Sequence, residues 1–212
     1  MPAPESSPWL EVLEDDLVPA SRLDVIESEI TALLGLSPSI RPDDVARPSL
    51  SMADSSELLG FLSESALHHA SSGRHEAARD AVSQAAPLFW ERTDEAAAAR
   101  AALRVGDACL LIGQARQAVS KFELALALYG DLGDRVMAAH AGLGLGRALV
   151  ALGDPGAIPL FESAAGVFAD VGDDEALARV TRLLDEAEEA IHAPSGIYPV
   201  GVRSRTIPPP AE

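Results

Sequence analysis

Between residues 94 and 134 the chain carries two apolar, alanine-rich runs, separated at Gly113, Gln114 and Ala115. Within each run the apolar positions return every three or four residues. That is the period of one helix face, so the stretch predicts a helical hairpin. Related stretches lie on both sides. Gly73, Gly113 and Gly153 mark one set of breaks and Asp94, Asp134 and Asp173 another, each recurring at about 40 residues, the size of a helix–turn–helix repeat. A hairpin of this kind has an apolar face that it cannot bury alone, and stacked neighbours cover it. The pattern predicts an all-α domain over 55–192, made of three stacked hairpins and a polar-faced cap helix at 173–191.

Small and bulky residues recur at fixed places within the units. Gly106, Cys109 and Gly113 are followed by Ala118, Phe122, Ala125 and Tyr129. The next unit has Gly146, Leu149, Gly153, Ala157, Phe161, Ala164 and Phe168, and the preceding one Ala66, His69, Gly73, Ala78, Val82, Ala85 and Phe89. Small residues let helices cross closely, a bulky one fills the gap, and a glycine ends the first helix. A small residue three before an aromatic, then Ala-x3-Phe-x2-Ala on the partner helix, resembles the tetratricopeptide repeat in its longer variety. The resemblance spans 57–192. It departs from the family at Val82, which replaces the aromatic, and it lacks the early tryptophan and the closing proline. It implies a right-handed α-solenoid whose first helices line a concave, peptide-binding groove.

The flanks differ in pattern. Residues 1–20 are acidic and proline-containing and predict disorder; Trp9, beside Leu10, Val12 and Leu13, is either a docking motif or a loosely packed side chain. Residues 21–36 predict an isolated helix with Leu23, Ile26, Ile30 and Leu33 on one face. A proline- and serine-rich linker at 37–54 leads to a helix capped by Asp54 or Ser55. Residues 193–212 form a proline-rich tail predicted to be disordered.

Composition narrows the function. Aromatics are only 4% of the chain, and alanine in their place favours closely packed helices over a β-sandwich. A net charge of −17 repels phosphate backbones and anionic membranes. The single cysteine, Cys109, excludes an internal disulfide and fits a cytoplasmic home. Neither a signal peptide nor a membrane span is predicted.

No catalytic set emerges. Gly142, Gly144 and Gly146 suggest a phosphate loop, but such a loop follows a strand; here the run lies mid-helix, with Gly142 and Gly146 on small-residue positions. His68, His69 and His75 lie near one another across the Gly73 turn, with Glu76 close by. No metal and no cofactor is predicted, a histidine-based metal or enzymatic site being one alternative and a self-assembling component another. The expected function is a non-catalytic adaptor, scaffold or chaperone-like module. The tetratricopeptide register assigns to the groove Arg100, Leu103, Asp107 and Leu110, then His140, Leu143, Arg147 and Val150, then Arg179, Arg182, Glu186 and Glu189 on the cap helix. The first unit offers Gly60, Ser63, Leu67 and Ala70. Two readings of the arginines stand. Their planar forks suit an acidic peptide or a C-terminal carboxylate, or they pair with Asp107, Glu186 and other local acids. The N-terminal segment is a candidate ligand in cis, the alternative being that 21–35 packs as an extra helix on the first unit.

Overall fold

The computed structural model describes residues 51–90 and 93–192. The Trp9 motif, the expected helix at 21–36, the linker as far as residue 50 and the tail at 193–212 lie outside the described residues. Within them the chain is all-helical, with no strand. The order is α1 (Met52–Ser71), α2 (His75–Ala85), a 3-10 turn (Ala86–Trp90), α3 (Glu95–Leu111), α4 (Ala115–Asp131), α5 (Arg135–Ala151), α6 (Ala157–Val171) and α7 (Asp174–His192). Each α-helix packs against its successor in sequence, and α1 also lies broadly along α3.

The expected punctuation sets the helix ends. The Asp94 and Asp134 side chains accept hydrogen bonds from the Ala97 and Met137 N–H groups at 2.9 and 3.0 Å, and Asp173 does the same for Ala176 at 2.9 Å. These aspartates satisfy donors that the first helical turn leaves unpaired. At the other ends Gly73, Gly113, Gly133, Gly153 and Gly172 all have φ between 71° and 76°. Only glycine adopts this left-handed backbone without a Cβ penalty. The first helix departs from expectation. Its cap is Ser51, in a reciprocal capping box with Asp54. A carboxylate three residues into a helix reaches back to the cap, which makes Asp54 part of the helix rather than its start. α2 is short because Pro87 lacks an N–H and its ring clashes with the carbonyl four residues back; the chain tightens there into the 3-10 turn.

Large rings lying on glycine backbone join the hairpins. Phe122 on α4 is fully buried. A Cβ placed on Gly106 would lie 2.8 Å from its ring, and one on Gly144 only 2.3 Å. Phe122 therefore occupies space that glycines leave open on its own hairpin and on the next. Phe161 repeats the contact at Gly146, at 2.5 Å. The expectation for Gly142 fails, since a Cβ there would meet nothing within 4 Å. In this unit the close approach falls on Gly144, because Phe122 reaches forward from the preceding hairpin. The core then continues through α6 into α7, which buries Ala176, Val180, Leu183 and Ala187 and turns Arg182, Asp185, Glu186 and Glu189 to solvent.

Two glycine substitutions separate these environments. Gly144→Ala is expected to destabilise the protein by about 1–3 kcal/mol through overpacking against a buried ring. Gly142→Ala is expected to be neutral or to stabilise by up to about 1 kcal/mol, the helix-propensity difference. Urea unfolding followed by circular dichroism measures both.

Candidate functional site

The first helices of the second and third hairpins, α3 and α5, carry most of the positions assigned to the groove. Asp107 on α3 and Arg147 on α5 meet at 3.3 Å, forty residues apart in sequence. Two equivalent positions of successive units thus face each other. Leu103 and Leu110 on α3, and Leu143 and Val150 on α5, are half-buried along the edges of the core. Each keeps part of an apolar side chain accessible. Of the assigned positions, Asp107 and Arg147 are the pair whose contact the structure shows.

The charged positions divide. Arg100 and Arg182 are exposed. Arg179 is 30% exposed and bonded at 2.7 Å to Glu175, one helical turn away. Arg147 is buried, with only 8% of its side chain exposed, against 15% for Asp107. Of the two readings of this arginine, the placement fits pairing with a local acid, Asp107, where neighbouring first helices approach closely enough to enclose it. His140 is half-buried, its ring edge against Phe168 of α6 with centroids 5.0 Å apart. In the first unit Ser63, Leu67 and Ala70 are all buried. They belong to the α1 face packed into the core, and the Ser63 hydroxyl donates to the Gly60 carbonyl at 2.7 Å. The open apolar surface on these helices therefore belongs to α3 and α5.

A second bridge escaped the sequence reading. Arg104 on α3 lies 3.7 Å from Glu64 on α1, so α1, α3 and α5 are linked in series by ion pairs between successive first helices. The signal was present in the chain as opposite charges one repeat apart.

His68 and His69 are buried, with ring centroids 6.4 Å apart, whereas His75 is exposed at the start of α2. Among the described residues no group of three or more histidine, cysteine or acidic side chains is placed to hold a metal ion. Burial pushes the Cys109 thiol up to about 11, an effect that nearby Lys121 partly opposes. The thiol donates weakly to the Gln117 side-chain oxygen at 4.0 Å. Burial pulls Lys121 below its ordinary value, and its ammonium sits 4.1 Å above the Phe89 ring. The Tyr129 hydroxyl is buried without a hydrogen-bond partner. Burial raises its pKa, and Arg100 counters this more than any other charge. Among the described residues no helix is long and apolar enough to cross a membrane.

Enclosure distinguishes the two bridges energetically. Asp107→Ala takes a carboxylate away from a buried guanidinium and is expected to cost about 3 kcal/mol. Glu64→Ala faces an arginine whose side chain is 38% exposed and is expected to cost less than about 1 kcal/mol. Urea titration of both variants ranks them. Cys109 gives a pH test. Its folded pKa lies above the ordinary 9.0, so the folded state holds the proton more tightly than the unfolded chain. Stability is then unaffected below pH 9.0 and falls as pH rises towards about 11. Cys109→Ala removes that part of the alkaline loss, measured as the unfolding midpoint against pH. A scan against family models finds no match to the chain, and a search of curated proteins finds none either.

Proposed function

We propose that this chain is a non-catalytic protein-interaction module, a right-handed solenoid of the tetratricopeptide type that holds an extended segment of a partner across the inner faces of α3, α5 and α7. The observation that carries the reading is the Asp107–Arg147 bridge. It argues for the register in which Leu103, Leu110, Leu143 and Val150 share one surface. A row of half-exposed apolar side chains on adjacent helices suits a peptide that brings alternating apolar residues. An apolar floor with a few oriented polar groups is the usual make-up of a binding surface.

The charges suggest the chemistry of the ligand. Arg147 works as an internal strut that holds the floor rigid. Arg100 and Arg182 remain exposed at the two ends and are the forks available to an acidic side chain or a terminal carboxylate. With a net charge of −17, these arginines are local exceptions on an acidic surface, so recognition weakens as salt screens it.

The test uses fluorescent acidic peptides with free C-terminal carboxylates, titrated against the full chain. Arg100→Glu with Arg182→Glu is expected to weaken binding at least about tenfold, roughly 1.4 kcal/mol. Leu143→Glu in the floor is expected to do the same, and Arg135→Glu, outside the assigned register, to leave affinity unchanged. Equal affinity for all four proteins would overturn the proposal.

A further inference from the structure

A second surface is built from a different set of residues. Between α4, α5 and α6 lies an apolar cleft of about 240 Å³, lined chiefly by Leu126, Ala138, Gly142, Leu160 and Val167, with Arg135 among its lining residues. Its origin is legible in the repeat. The tetratricopeptide consensus places a tryptophan four residues before the small residue of the first helix. In the second unit that place is Ala102, fully buried in a cluster with Tyr129. In the third it is Gly142, where a Cβ would meet nothing within 4 Å. The cleft is the space of an absent aromatic side chain. It is below the roughly 300 Å³ of ordinary small-molecule pockets and is of the right order for one large side chain.

Among the described residues the same chain presents such a side chain to solvent. Trp90 ends the 3-10 turn and is 88% exposed. The next most exposed of the large apolar residues, Met52, reaches 55%. Trp90 does not owe this exposure to a loose local chain, because the preceding Phe89 packs into the core beneath the Lys121 ammonium. An indole held outwards on an anchored turn is the side chain most often found at the energetic centre of protein interfaces.

We propose that the cleft beside Gly142 is filled by Trp90 of a second copy of this chain, in a head-to-tail contact. The indole comes from the first hairpin and the cleft lies between the second and third, so the two patches differ and the contact is heterologous. Local charge favours this occupant. Glu91 follows Trp90 directly, then Arg92, with Asp94 and Glu95 close behind, three acids to one base, and Arg135 is the charged residue among those lining the cleft. The intramolecular partner of Arg135 is Asp170 at 3.1 Å, in a pair whose side chains are 71% and 65% exposed. An exposed pair of that kind exchanges partners at little cost. The net charge of −17 acts against association of two copies, and added salt relieves that repulsion. The contact is therefore weak at low salt and strengthens as salt rises, the opposite of the peptide groove.

Sedimentation velocity on the full chain over a concentration series at low and high salt tests this. Self-association that grows with salt is expected. Trp90→Ala removes the indole and Gly142→Leu fills the cleft, and each alone is expected to weaken association at least about tenfold. Mixed, the two variants restore one functional contact per pair and form a dimer that grows no further. Trp90 emission, read in a Trp9→Phe background, shifts to the blue on association. If Gly142→Leu does not fold, by circular dichroism, Leu126→Asp in the cleft wall takes its place. A wild-type chain that stays monomeric at every concentration and salt would overturn the proposal. So would association that survives Trp90→Ala, or Trp90 emission that stays solvent-like in the assembled state.

Discussion

A phenyl ring pressed against helix backbone on two sides sets the geometry of this molecule. Phe122 lies where Gly106 and Gly144 leave no room for a Cβ, one glycine on its own hairpin and one on the next. A ring at that contact cannot slide along either helix without meeting a side chain. The contact therefore fixes the separation of the two hairpins and also their register. Protein interiors are packed closely enough for such a constraint to be transmitted rather than absorbed. Phe161 against Gly146 repeats one side of this contact, within the third hairpin.

Register decides which residues meet between neighbouring first helices. Once α3 and α5 are locked at that spacing, residues one repeat apart come opposite each other, and Asp107 meets Arg147. The bridge is a consequence of the packing, and its burial gives it a further effect. A buried pair contributes little net stability, but removing either partner alone is costly, so it acts as a selector of one register over its neighbours. Glu64 and Arg104 extend the same logic to α1. The proposed apolar floor at Leu103, Leu110, Leu143 and Val150 rests on both.

The two proposed surfaces have different physical origins. The groove arises from regularity, as equivalent positions repeat and align. The cleft arises from a local irregularity, where Gly142 leaves space beside Leu126 and Leu160 and Phe122 fills the neighbouring gap at Gly144 instead. Trp90 is likewise irregular, at the end of a second helix cut short by Pro87. Their opposite responses to salt follow from charge. The groove would attract a ligand through local arginines, whereas two copies of an acidic chain repel.

The all-helical character, the approximate helix ends and the core positions were legible in the chain, because caps, glycine stops and the spacing of alanines and phenylalanines are local properties. Asp94, Asp134 and Asp173 needed no tertiary context to be identified as boundaries. The start of α1 was misjudged by a few residues, since Ser51 and Asp54 both suit a cap and only the reciprocal hydrogen bonds distinguish them. Gly142 could not have been placed correctly from sequence, and for Arg147 the chain left two readings open, a free fork or a pair with a local acid. Whether a glycine is filled or left open depends on which ring reaches it, and here the ring comes from the preceding hairpin. Whether an arginine is presented or enclosed depends on how closely two helices forty residues apart approach. Both are distances between segments remote in sequence, and packing alone decides them.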